Sequence, residues 1–271
     1  MRKLCSNISA RALAVLAALL LAAPMFAQNV AKGTVMGDDG QPVIGASVLV
    51  KGTRTGTITD IDGTLTDDRR RLSTHAVEEI RRLVDADIPV VLASGNTVCF
   101  IDALSKMIGT DGDIIAENGG VYRYGYTGAR HTEGDRKLCL DAYQKIIEHF
   151  QPKGEELRLY SSEYRYSDVA FACDVDVGEV SHLLAGMPVQ VIDTGFAIHL
   201  QPPGLSKGAA LAKLAKLMGL TPADFLAAGD SVNDVSMLTS AGIAVVPANA
   251  SPEARAAADD VMDKTFGEGT A

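Results

Sequence analysis

Ile88-Pro89-Val90-Val91-Leu92-Ala93 is a continuous apolar run that stops abruptly at Ser94-Gly95-Asn96. A strand with no polar alternation has to be covered on both faces, which is the situation in a parallel sheet flanked by helices. Asp113-Ile114-Ile115-Ala116, Phe225-Leu226-Ala227-Ala228 and Ile243-Ala244-Val245-Val246 repeat the texture. Helical periodicity separates them. Ser73-Thr74 can cap a helix with Ala76, Ile80, Leu83 and Val84 on one face, and Lys207 opens another with Ala210, Leu211, Leu214, Leu217 and Met218. Strand-helix alternation predicts an α/β fold with a Rossmann-like three-layer parallel sheet as its core. Residues 122–200 break the rhythm with longer polar stretches, with Tyr160, Tyr164 and Tyr166, and with alternation in Val169-Ala170-Phe171-Ala172-Cys173. They read as an inserted α+β cap domain, leaving 56–121 and 201–271 as the core.

Polar residues gather where these strands end. Asp60-Ile61-Asp62-Gly63-Thr64 places two carboxylates at i and i+2 beyond a first strand, where both can face one pocket, and Gly63 lets the chain turn away. The approach to it, Gly56-Thr57-Ile58-Thr59, carries two hydroxyls where a central strand is ordinarily apolar. Ser94-Gly95-Asn96 follows the next strand and leads into a helix N-terminus able to receive an anion. Lys207 begins its helix, and Gly229-Asp230-Ser231-Val232-Asn233-Asp234 follows a later strand. Carboxyl ends of strands are where open α/β sheets bind ligands. Taken singly, each motif has an ordinary reading as a turn, a cap or a surface residue. Four in order on strand ends point to a site.

In this combination the sequence resembles the haloacid dehalogenase superfamily of phosphatases, and within it the archaeal-type phosphoglycolate phosphatases with a cap of the second type. Glu117-Asn118-Gly119-Gly120, Pro247-Ala248-Asn249-Ala250, Gly267-Glu268-Gly269 and the 23-residue step from Lys207 to Asp230 add to the likeness, which spans about residues 60–269. The resemblance implies an Mg2+-dependent phosphatase acting on a small phosphate monoester, with 2-phosphoglycolate first and a sugar phosphate as the alternative. It implies Asp60 as nucleophile and Asp62 as general acid and base. It implies a metal site of Asp60, Asp62 through its carbonyl, Asp230 and Asp234, the last directly or through water. Ser94, Gly95, Asn96, Lys207 and Asn233 are then substrate-binding, with Ser94 and Lys207 offsetting phosphoryl charge. The cap of such enzymes selects the leaving group. Arg165 is the candidate for a substrate carboxylate, or else a surface arginine paired with Glu163 or Asp168.

The first 63 residues tell a different story. Arg2, Lys3 and Arg11, the apolar run Ala12 to Ala23 and then Pro24-Met25-Phe26-Ala27 have the layout of a secretory signal peptide over 1–27. The run is too short for a stable membrane span, which takes roughly 20 apolar residues. Residues 28–55 are β-rich. Together with Asp60 to Gly63 they resemble the start of the carboxypeptidase-regulatory-like domain of TonB-dependent outer-membrane receptors. Asp60 to Gly63 therefore belongs to both resemblances. The leader predicts export, whereas the catalytic resemblance implies the cytoplasm. A second reading of the whole chain is an exported receptor or binding-module fragment with an inactive phosphatase segment.

A net charge of -9 argues against a nucleic-acid surface, but not against a small phosphorylated substrate served by local cations. Cys5, Cys99, Cys139 and Cys173 form no C-x-x-C pair and have no histidine at ligand spacing, so zinc is not indicated; they read as one leader residue and three small buried side chains. Oligomeric state is not legible.

Overall fold

The structure is a computed structural model, and it describes residues 55–271. The leader at 1–27 and the receptor-like segment, all but Thr55, lie outside the described residues. Among the described residues, no helix is long and apolar enough to cross a membrane.

The described chain builds β1 (Gly56–Asp60), α1 (Thr74–Asp85), β2 (Val90–Ala93), α2 (Val98–Ile108), β3 (Ile114–Ala116), β4 (Val121–Arg123) and β5 (His131–Thr132). It continues through α3 (Arg136–Phe150), β6 (Val169–Ala172), α4 (Val177–Leu183), β7 (Gln190–Asp193) and β8 (Ala197–Gln201). The last part is α5 (Lys207–Met218), β9 (Phe225–Ala228), α6 (Val235–Ser240), β10 (Ile243–Val246), α7 (Pro252–Ala257), β11 (Asp260–Val261) and α8 (Phe266–Thr270).

One sheet has the order β11-β10-β9-β1-β2-β3-β4-β5. Its strands from β11 to β3 are parallel, while β4 and β5 are added antiparallel at the edge. The large sheet thus continues past residue 121 before the chain leaves it. The apolar runs bury both faces, as their lack of alternation requires. In β2, Val91 and Ala93 enter a core shared with Leu211, Leu214 and Met237 of α5 and α6. Val90 and Leu92 enter another with Ala76 and Ile80 of α1 and Ile101 and Ile108 of α2. Those two cores are the spaces between three layers.

β1 occupies the middle of this sheet despite its hydroxyls. It pairs in parallel with β2 and β9, with Ile58 opposite Val91 and Ala227. Thr59 is buried, and its hydroxyl donates to the carbonyl of Asp60 at 2.8 Å, so it carries no unmet hydrogen bond into the core.

The second sheet is antiparallel, in the order β6-β8-β7. Val169, Phe171, Ile198 and Leu200 point to one face and form a separate core with α3 and α4 through Ile146, Phe150 and Val180. Strand alternation sends Ala170, His199 and Gln201 to the other face, with Ile192 and Gln190 in register beside the last two. Contacts that join this lobe to the large sheet's loops include Arg70, 3.6 Å over the Phe196 ring, and Glu117, which receives hydrogen bonds from Tyr166 and Ser167. Cys139 is buried, but Cys99 is exposed in the first turn of α2, contrary to the expectation that it packs in the core.

Candidate active site

β1 delivers Asp60 to the carboxyl edge of the sheet, opposite Ala93 at the end of β2. The chain then turns at Gly63, whose φ of 85° is left-handed and where a Cβ would come within 2.2 Å of Asp230 Oδ2. Only glycine allows the first and last motifs to approach this closely. Thr64 donates to Asp230 Oδ1 at 3.1 Å, and Asn249 donates to the Gly63 carbonyl at 2.9 Å, so the two loops brace each other.

Lys207 arrives from the opposite direction, as the first residue of α5 after a helix cap by Ser206. Its side chain is fully buried, with Nζ 2.5 Å from Asp60 Oδ1 and 2.6 Å from Asp234 Oδ1. Burial works against the ammonium, but Asp234 and Asp60 outweigh it and hold Lys207 charged, above the ordinary lysine value. Asp60 is raised well above the carboxylate range, first by burial and then by Asp234, with Lys207 pulling the other way. Asp230 is pushed up to about 6 by burial and by Asp234. The excess of negative charge is structural: carboxylate oxygens of Asp60, Asp230 and Asp234 lie within 4.8 Å of one another, facing a single lysine. A hard divalent cation fits such a set, since its donors are all oxygen and two positive charges would offset what Lys207 leaves over. Asp234 is already well engaged. Its Oδ2 accepts from Asp230 N, Ser231 N and Ser231 Oγ while its Oδ1 takes Lys207, so it organises the loop that presents Asp230.

Asp62 is half-buried, and its Oδ2 accepts from Asn96 Nδ2 at 2.8 Å. Asn96 also donates from N and Nδ2 to Ser94 Oγ, at 3.0 and 3.1 Å. Ser94 therefore accepts twice and keeps its own proton available to donate. Gly95 lies against Asn118, where a Cβ would meet the amide oxygen at 2.9 Å, and its carbonyl accepts from Arg165. Asn233 donates to Asn118 Oδ1 at 2.9 Å. Of the predicted residues, Asp60, Asp230, Asp234 and Lys207 meet in one cluster, and Asp62, Ser94 and Asn96 in another set of contacts. Arg165 comes from the second lobe. It is buried and bound to both oxygens of Asp168 at 2.7 and 2.9 Å, so this pair is an interior one and not the surface pair expected as the alternative to substrate binding.

The chain matches the profile of haloacid dehalogenase-like hydrolases over residues 57–185 and 191–271. It belongs to that family. Phosphoglycolate phosphatase of Methanoculleus marisnigri is 55% identical over 214 residues, covering 78% of this chain and 92% of the relative. Phosphoglycolate phosphatase of Archaeoglobus fulgidus is 40% identical over 210 residues, covering 78% and 91%. Among solved structures, that of Thermoplasma acidophilum 0175 superposes with a TM-score of 0.71 at 26% identity, covering 80% of this chain and 94% of that one.

As a haloacid dehalogenase-like hydrolase, the chain holds several residues near the site to which the sequence reading gave no role there. Glu117 is buried, with left-handed φ, and accepts from Tyr166 N, Ser167 N and Ser167 Oγ. Burial pushes its carboxyl up, with Asp168 adding to the effect. Asp168 also holds His199 Nδ1 at 2.9 Å. The signal for His199 was faint but present: it and Gln201 are polar at i and i+2 in the apolar strand Ala197-Ile198-His199-Leu200-Gln201.

Proposed function

We propose that this haloacid dehalogenase-like hydrolase is a magnesium-dependent phosphoglycolate phosphatase, cleaving 2-phosphoglycolate to glycolate and phosphate. The observation that carries the reading is the arrangement around Asp60: a carboxylate at the end of the central strand, its Oδ1 tied to Lys207, beside Asp230. The catalytic core is the part of the chain that builds the large sheet and its flanking helices, β4 and β5 included, and the insertion from α3 to β8 is the cap.

Among the described residues nothing donates to Asp60 Oδ2, which leaves this oxygen to attack phosphorus. As the new P–O bond forms, the bond to the glycolate oxygen breaks, and Asp62 gives that oxygen its proton. Asp62, held by Asn96, then takes a proton from water, which attacks the aspartyl phosphate and releases phosphate and Asp60. Lys207 and the free proton of Ser94 offset charge on the phosphoryl oxygens in a loose transition state. Mg2+, held by Asp60, Asp230 and the Asp62 carbonyl with Asp234 in support, would supply further charge neutralisation at the phosphoryl group. Arg165 orients the substrate carboxylate from the cap, with Asp168 locking its guanidinium in place.

The purified chain is assayed with Mg2+ against 2-phosphoglycolate and hexose phosphates. The expected result is turnover of 2-phosphoglycolate that disappears in Asp60→Asn. Absence of turnover, or a rate untouched by the substitution, overturns the reading; a higher kcat/KM on hexose phosphates overturns the choice of substrate.

A further inference from the structure

Four consecutive carbonyl oxygens after Asp62 each receive a hydrogen bond. Gly63 O accepts from Asn249 Nδ2 at 2.9 Å and Thr64 O from Thr270 Oγ1 at 2.7 Å. Leu65 O accepts from Ser73 N at 2.9 Å and Thr66 O from Gly267 N at 3.0 Å. Three of these donors come from far along the chain, Asn249 lying 186 positions from its acceptor and Thr270 206. Asn249 and Gly267 belong to Pro247-Ala248-Asn249-Ala250 and Gly267-Glu268-Gly269, motifs to which the proposed reaction assigns no step.

The two motifs are tied to each other by one amide. Asn249 Oδ1 accepts from Phe266 N at 2.5 Å, which fixes which end of the amide faces Gly63: only Nδ2 is left to donate there. Phe266 adopts a left-handed φ of 57° to present that N–H, a conformation a bulky residue keeps only where its surroundings enforce it. The same loop reaches the last motif. Ser251 N donates to the Asp230 carbonyl at 2.7 Å, and Asn249 Nδ2 lies 3.5 Å from Asp230 Oδ2. Residues 249–270 thus clasp the chain after Asp62 and brace it against Asp230.

The two carboxylates of the first motif depend on this clasp unequally. Asp60 ends a strand paired on both sides, and its side chain is held by Lys207. Asp62 lies beyond the strand and is half-buried, and among the described residues its carboxylate has one hydrogen bond, from Asn96. Its direction follows from the turn at Gly63, whose exit Asn249 and Thr270 hold. We infer that Asn249, with Thr270, is a positioning residue that aims Asp62 at the ester oxygen. This rests on the phosphatase reading above, in which Asp62 is the general acid. An alkoxide such as that of glycolate needs the Asp62 proton as its bond to phosphorus breaks, whereas p-nitrophenolate leaves as a stable anion without it. A misdirected acid therefore slows the first ester and spares the second.

The kcat/KM values for 2-phosphoglycolate and p-nitrophenyl phosphate are measured with Mg2+ in the wild type, Asn249→Ala and Thr270→Val, each at a temperature where its melting curve shows it folded. In Asn249→Ala the expected fall is about 10- to 100-fold on 2-phosphoglycolate and about twofold or less on p-nitrophenyl phosphate. Thr270→Val is expected to show the same selective fall, and Thr270→Ser, which restores the hydroxyl, to recover it. Should Asn249→Ala fail to fold, the two Thr270 variants decide the matter. A purely structural role would lower both esters together, so an equal fall, or none, overturns this inference and leaves the phosphatase reading standing. A wild type that does not turn over 2-phosphoglycolate overturns the proposed function and this inference with it.

Discussion

Lys207 Nζ lies 2.5 Å from Asp60 Oδ1, joining residues 147 positions apart, in a place where the lysine has no access to solvent. The contact ties the end of the central strand to the first residue of α5. It helps hold Lys207 charged against its burial, and it pulls against the burial and the neighbouring carboxylates that raise Asp60.

Lys207→Met removes the buried cation facing Asp60 and Asp234. Breaking a buried pair from one side leaves uncompensated charge and costs about 3–5 kcal/mol. The expected outcome is a lower denaturant midpoint together with a fall in kcat of about 100-fold or more, in the range seen when one preorganised charge-stabilising donor is removed. Unfolding curves and steady-state rates on 2-phosphoglycolate check both.

Asp60→Asn should separate activity from stability. Burial, Asp234 and Asp230 all disfavour the ionised Asp60 carboxyl, against the pull of Lys207. A neutral amide relieves that repulsion, so the metal-free variant is expected to melt no lower than the metal-free wild type while turnover is lost. Differential scanning calorimetry in chelator and an activity assay make the comparison.

Removing Mg2+ with a chelator should abolish turnover, and restoring it should raise the melting temperature. A ligand that binds only the folded state at 100 times its Kd adds about 2.7 kcal/mol. Asp230→Asn, which removes one of the clustered carboxylates, is expected to lose most of that Mg2+-dependent shift. An equal shift in the variant would place the ion elsewhere.

Asp168 links stability to acid pH. Burial pushes its carboxyl up, but the hydrogen bond from His199 and the charge of Arg165 outweigh burial and hold it below the ordinary carboxylate value. A folded value below the unfolded one means the unfolded chain binds more protons, so this contribution grows with rising pH. It is fully present above the unfolded value of about 3.9 and is lost as pH falls through the folded one. The stability gap between wild type and Asp168→Asn should therefore narrow as pH drops below about 4, as read by urea midpoints across pH.

Glu117→Ala tests the tether between the lobes. The carboxylate accepts from Tyr166 N and Ser167 N, next to Arg165. Its loss leaves two backbone donors unpaired at a cost of about 1–3 kcal/mol each. Faster hydrogen exchange at Tyr166 and Ser167 and a raised KM for 2-phosphoglycolate are expected, with a smaller change in kcat.

Part of this architecture is legible in the sequence. The strands Phe225–Ala228 and Ile243–Val246 appear with the limits their apolar runs suggest, and Ser73 caps α1 through Ala76 N. Asp60, Ser94 and Asp230 sit at or just beyond strand ends because strand texture and the polar residues after it are local properties. β1 was harder to read. Thr57 and Thr59 spoil the apolar pattern, and the hydrogen bond that makes Thr59 tolerable in the core depends on the rotamer it adopts there.

What the sequence determined by itself was the strand-helix alternation, the three-layer core and the polar motifs at its strand ends, since periodicity, capping and turn chemistry act over a few residues; the carboxylate-lysine set came with the family resemblance. Tertiary structure decided the partners: Asn96 for Asp62, Asp168 rather than solvent for Arg165, Tyr166 and Ser167 for Glu117, and Asn233 for Asn118. These pairs bring groups of the sheet's loops against one another and against groups of the second lobe. Their geometry depends on how distant segments pack, and no local pattern encodes it.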